Sequence, residues 1–134
     1  MIPRHLILLQ ASPVERWRWL GARIRWGLTP CTPGTLAYFL AAGNQACANG
    51  LIEPWELAEH NLRLLLDSAT DRLLPWHWRV LCLDWSYRPL QSLESLALGS
   101  PVRREALQRW RRQVADADMS PGISPDDDLS RVRH

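Results

Sequence analysis

Apolar residues recur along this chain in helical steps, and prolines with polar caps mark where each run begins. Ser12-Pro13-Val14-Glu15 places a capping serine before a proline at the first helical position, with a glutamate three residues after the cap. Trp17, Leu20, Ile24 and Leu28 then follow at helical spacing until Thr29-Pro30 stops the run, which predicts a first helix with one buried face. Thr32-Pro33 opens a second run, with Leu36, Phe39, Leu40, Gly43 and Cys47 on one side and Asn49-Gly50 as its left-handed stop. A third begins near Glu53-Pro54 and carries Trp55, Ala58, Leu62, Leu65, Leu66 and Ala69 to an end near Thr70. Glu53 and Glu56 sit in its first turn, where the helix dipole favours carboxylates. Leu74-Pro75 opens a fourth, which Pro89 should kink or break before Leu90, Leu93 and Ala97 continue to Gly99. Ser100-Pro101 caps a last helix carrying Leu107, Trp110 and Val114. Strand-period alternation is not sustained anywhere. The predicted fold is therefore all-α, a single-domain bundle of five to six helices over residues 1–117. Residues 118–134, with three consecutive aspartates and little to bury, predict a disordered, flexible acidic tail that is dispensable from about Ser120 onward.

The fourth run, PWHWRVLCLDWSYRPL, holds three of the chain's eight tryptophans. Read as a helix, Trp76, Val80, Leu83 and Tyr87 line one side, and Trp78, Cys82 and Trp85 line a second. Only His77, Leu81, Asp84 and Arg88, with neighbouring Arg79, form a partly polar stripe. Such a helix is expected in the middle of a domain. The predicted core is Trp17, Leu62, Leu65, Trp76, Trp78, Leu83 and Trp85.

Composition narrows the setting. All 16 basic residues are arginine, a bias that suits packed helix surfaces but that GC-rich coding explains better. Cys31, Cys47 and Cys82 are odd in number, widely spaced and without a CxxC pair, which argues for a reducing, cytoplasmic compartment and against a zinc site. The apolar run Leu6 to Leu9 is too short for a signal sequence, and no stretch reaches membrane-span length. Charge is segregated. Residues 1–50 carry five arginines and one glutamate, residues 51–74 five carboxylates and two arginines, and residues 100–117 five arginines and two carboxylates. Basic first and last helices are therefore expected beside an acidic third helix.

Candidate chemistry is sparse. Arg16 to Trp26, RWRWLGARIRW, interleaves arginine with tryptophan, so that Trp19, Arg23 and Trp26 share a face. A net charge of +2 and the absence of a nucleic-acid motif argue against an RNA or DNA surface. The partner-binding candidates are Arg16, Trp19, Arg23 and Trp26, on the side away from Trp17, Leu20 and Ile24. The same face could instead cover the acidic third helix within the monomer. Glu56 and His60, one turn apart, and His77 are the weak metal candidates, but they make no recognised ligand set. No phosphate loop, nucleophile elbow or HExxH is present, and Cys82 reads as an inert core thiol. Neither catalysis nor a cofactor is expected.

The stretches Glu15 to Leu28 and Leu64 to Leu90, above all the PWHWR–CLD–YRPL block, resemble the FagA family, with the similarity covering about residues 14–110. These are small proteins of pseudomonads whose genes lie beside those for class II fumarase and manganese superoxide dismutase, under ferric-uptake control. The resemblance implies expression during iron limitation and carries over no catalytic or ligand residue. The expectation is a non-catalytic accessory protein that binds another protein, class II fumarase being one candidate, with self-association also open. A haem- or iron-binding protein and an arginine-based nucleic-acid binder are the alternatives.

Overall fold

A computed structural model describes residues 12–28, 32 and 34–122. Among these the chain is all-α, with α1 Pro13–Arg25, α2 Gly34–Ala48, α3 Pro54–Ala69, α4 Trp76–Leu96 and α5 Pro101–Ala115, and no strand. The caps behave as local chemistry dictates. Ser12 Oγ accepts from the Glu15 N–H at 3.2 Å, Glu53 from Glu56 at 3.1 Å and Ser100 from Arg103 at 3.3 Å, each beside a proline in the first turn. The Cys31 thiol, Thr29-Pro30 and Pro33 of the expected second cap lie outside the described residues, as does the run Leu6 to Leu9.

The first helix ends earlier than its periodicity predicts. Gly27 takes φ +63°, its N–H reaches the Ile24 carbonyl, and the Leu28 N–H reaches back to Arg23, so the turn closes before Leu28. Leu28 is consequently exposed rather than part of the buried stripe.

Helices α1 and α2 pair closely, as do α3 and α4, and α5 packs on α4. Contacts between Arg16 and Gln45 and between Ala69 and Arg79 show that both pairs run antiparallel. Two apolar clusters result. One joins Trp17, Ile24, Leu36, Phe39, Leu57, Leu65, Trp78 and Cys82; the other joins Leu62, Leu66, Leu90, Leu93, Leu107, Trp110 and Val114. Helices α3 and α4 both feed the two clusters, and α3 packs in addition against α1 and α2, which makes it the central helix. Gly43 sits where a Cβ would come within 3.0 Å of both Leu57 and Trp17, so only glycine lets α1, α2 and α3 approach this closely. The expected charge pairing is present, with Arg25 meeting Asp71 at 2.7 Å and Arg103 meeting Glu53 at 3.2 Å; the neutral Trp110 indole also donates to Glu59 at 2.8 Å.

Helix α4 departs from the sequence reading in three ways. It continues through Pro89 without a break, because Cys82 and Ser86 before it and Leu90 and Leu93 after it are all anchored in the interior. That packing outweighs the roughly 3 kcal/mol cost of an interior proline. Its apolar surface is only partly internal: Trp78 is fully buried, Val80, Leu83 and Trp85 are half-buried, and Trp76, expected in the core, is 51% exposed. Arginines cover the outward indoles, with the Arg79 guanidinium 5.3 Å from the Trp76 ring and Arg88 3.9 Å from Trp85. Arg79, placed by sequence near the polar stripe, is completely buried. Its Nε donates to the Ala69 carbonyl at 2.8 Å, Nη1 to Ser120 at 2.6 Å and Nη2 to Asp118 at 3.3 Å.

Those last two acceptors lie just past the boundary at 117 drawn from the sequence, so residues 118–120 are held by the fold. After α5 the backbone folds back onto the α3–α4 turn, Met119 packs against the first cluster, and Asp118 pairs with Arg72 at 3.0 Å. A buried guanidinium requires acceptors, and residues 118–120 supply them. The aspartates at 126–128 lie outside the described residues.

Candidate functional site

The four residues singled out on α1 do not stay together. Arg16 turns inward, its Nη2 donating to Gln45 on α2 at 3.1 Å while its buried Nε meets no acceptor among the described residues. Trp19 and Arg23 do form the expected pair, with the guanidinium 4.7 Å from the indole centroid, and Trp19 is 38% exposed. Trp26 is the C-cap of α1 and is 71% exposed.

A larger apolar surface lies where α1 ends, and periodicity did not reveal it. A Cβ on Gly27 would come 2.8 Å from the Leu74 side chain, so the turn after α1 rests directly on the α3–α4 turn. The Trp78 indole buried beneath this contact donates to the Ile24 carbonyl at 3.0 Å and locks α4 to the end of α1. Flanking residues then gather at one end of the bundle: Trp26 and Leu28 from the turn that ends α1, Leu73 at 94% exposure from the α3–α4 turn, and Trp76 from α4. Arg25–Asp71 and Arg72–Asp118 form its polar rim. The Arg25 guanidinium, by donating to Asp71, holds that carboxyl below the usual range, with the Leu73 backbone N–H adding to the effect. Bonding from Ser120 and Arg72 draws Asp118 down to about 2.

The weak metal candidates are not assembled. Glu56 and His60 line a shallow pocket of about 400 Å³ with Glu59, Asp67, Arg25 and Arg63. His60 leans on Trp17, ring centroids 4.6 Å apart, and burial, then Arg63 and Arg18, push its pKa below the ordinary 6.5. His77 lies in the first turn of α4, past the other end of α3. The described residues contain no group of three or more His, Cys, Asp or Glu side chains arranged to hold a metal ion. Burial raises the Cys82 thiol to about 12, removing it from nucleophilic use near neutrality.

A second depression, of about 450 Å³, opens between the later half of α2, the start of α3 and the later half of α4. Its wall combines Leu40, Leu57, Ala58 and Leu96 with Asn44, Asn61, Arg88, Ser92 and Ser95. These residues fall on three separated segments, which is why no linear motif marks the groove.

No described helix is long and apolar enough to cross a membrane. No protein-family model, curated protein or solved structure matches the chain.

Proposed function

We propose that this is a non-catalytic helical accessory protein that binds another protein through the end of the bundle where α1 meets the α3–α4 turn. The observation that carries the reading is the convergence there of Trp26, Leu28, Leu73 and Trp76, all more than half exposed. Exposed apolar residues gathered at one end of a bundle beside charged groups suit a desolvated contact, and tryptophan and arginine are the residue types that dominate such contacts. The Trp19–Arg23 pair extends this surface along α1 and adds positive charge, so the complementary partner is an apolar patch bordered by carboxylates.

The resemblance to the FagA family makes class II fumarase the first partner to test and iron limitation the condition in which binding matters. Purified protein and class II fumarase are expected to co-elute in size-exclusion chromatography. Trp26→Ser with Leu73→Ser should abolish the complex, and Trp19→Ala with Arg23→Ala should weaken it. Each pair should shift the melting temperature by only a few degrees, as expected of surface changes costing about 1 kcal/mol or less. If the protein neither co-elutes with fumarase nor self-associates, or if the altered chains bind as well as the parent, this surface is not an interface. A large loss of stability in these variants would place the face inside the fold and overturn the reading equally.

A further inference from the structure

We infer that the groove between α2, α3 and α4 binds a small amphipathic carboxylate, with Arg88 and Asn61 holding the acid end and Leu40, Leu57 and Leu96 the chain. The groove lies at the end of the bundle opposite the proposed protein interface, so the inference is independent of that reading.

Space is left because small side chains stand where three helices would otherwise meet. Ala58 on α3 faces Pro89, Ser92 and Ser95 on α4, and the gap of about 450 Å³ falls in the ordinary range of ligand sites. With a methylene taking about the 30 Å³ share of a water molecule, this volume corresponds to about fifteen heavy atoms. A chain of about ten carbons with its carboxylate fits within it.

Polarity selects the ligand. Asn61 is only 4% exposed, and its Oδ1 is committed to the Trp17 indole N–H at 2.9 Å. That bond fixes the amide and leaves its NH2 group, which has no acceptor among the described residues, bordering the groove. That donor keeps access to solvent at the groove, where an acceptor on the occupant can take the place of water. Arg88 is the one charged residue of the wall among the described residues. Its guanidinium lies 3.9 Å from the Trp85 ring centroid and pairs with no carboxylate among the described residues. Stacking on an indole engages the face of a guanidinium and leaves its in-plane N–H donors available for a carboxylate. Charge and donors thus specify an anion, and the aliphatic wall specifies an apolar chain attached to it.

Calorimetric titration with decanoate, decanol and decyltrimethylammonium separates the requirements. Decanoate is expected to bind saturably at one site, decanol at least tenfold more weakly and the cation not at all. Arg88→Gln alters an exposed side chain stacked on Trp85, so it should shift the melting temperature by only a few degrees while weakening decanoate about tenfold. Ser92→Trp fills the groove from its rim and should abolish binding. The inference is overturned if decanoate shows no saturable binding, or if decanol binds as tightly. It is overturned equally if Arg88→Gln has no effect, or if Ser92→Trp leaves binding intact, which would put the ligand elsewhere.

Discussion

Removing the segment that follows α5 should unfold this protein more readily than its peripheral position suggests. Truncation after Ala117 deletes the Ser120 and Asp118 carbonyls that accept from Arg79 at 2.6 and 3.3 Å, together with Met119 and the Arg72–Asp118 pair. Hydrogen bonds to a charged group contribute about 1.5–3 kcal/mol each, and leaving a buried charge without its partners costs about 3–5 kcal/mol. The Arg72–Asp118 pair is well exposed and adds little, about 0–1 kcal/mol. Water entering the vacated channel returns part of the loss, so the net expectation is about 3–5 kcal/mol. For a chain of this size that corresponds to a fall of roughly 10–20 °C in Tm. Thermal unfolding by circular dichroism would compare the full chain with chains ending at Gly122 and at Ala117. The chain ending at Gly122 should melt within about 2 °C of the parent, and the shorter one should show the full loss. Adding Arg79→Met to the chain ending at Ala117 should restore part of the difference, because no guanidinium then requires acceptors. Equal melting of the two truncated chains would refute the reasoning and show that Arg79 finds acceptors without the strap.

Two further outcomes follow from the same geometry. The fold favours neutral His60, whose pKa lies below 6.5, so the unfolded chain binds the proton more readily. The contribution is complete above pH 6.5 and is lost as pH falls through the lower folded value. Denaturant midpoints measured between pH 7.5 and about 5 should decline, and His60→Gln should flatten that decline; an unchanged slope would remove His60 as its source. Burial holds Cys82 at about 12, while Cys47 is only half-buried in the groove wall. Iodoacetamide at pH 8 should therefore label Cys47 in the native protein and reach Cys82 only on unfolding. Equal rates at the two cysteines in mass spectrometry would contradict the buried placement of α4.

Much of this architecture was legible because helix boundaries are local events. A serine or glutamate cap followed by proline acts within one turn, so the starts of α1, α3 and α5 could be read directly from residues 12–15, 53–56 and 100–103. The stripe Trp55, Ala58, Leu62, Leu65, Leu66 and Ala69 on α3 was likewise visible, and all of it is buried except Trp55, which is half-buried. What periodicity could not supply is the identity of the neighbour on each face. Helix α4 has the richer aromatic content, yet α3 occupies the centre because it packs against α1, α2 and α4. Trp76 reads as core by spacing alone; its position at the first turn of α4, beside a guanidinium, leaves it at the rim.

The functional surfaces were harder to read because each depends on a contact between segments distant in sequence. The Trp19–Arg23 pair is local to one helix and was legible. Leu73 sits in a turn, where hydrophobic periodicity carries no information, and it joins Trp26 only because Gly27 rests on Leu74, 47 positions along the chain. Asn61 looks like an ordinary polar residue on α3 until the Trp17 indole claims its oxygen. Arg79 illustrates the same limit with opposite effect. Arginine next to a polar stripe belongs at the surface unless the fold delivers enough acceptors to bury it, and here Ala69 and the strap deliver three. The arrangement ties the end of α3, the start of α4 and the chain beyond α5 to a single guanidinium. It therefore stiffens the very end of the bundle that presents Leu73 and Trp76. A rigid base under exposed aromatic anchors lowers the ordering cost of binding, so the strap and the proposed interface are physically linked. Loss of the strap should weaken partner binding even where the exposed side chains themselves are untouched.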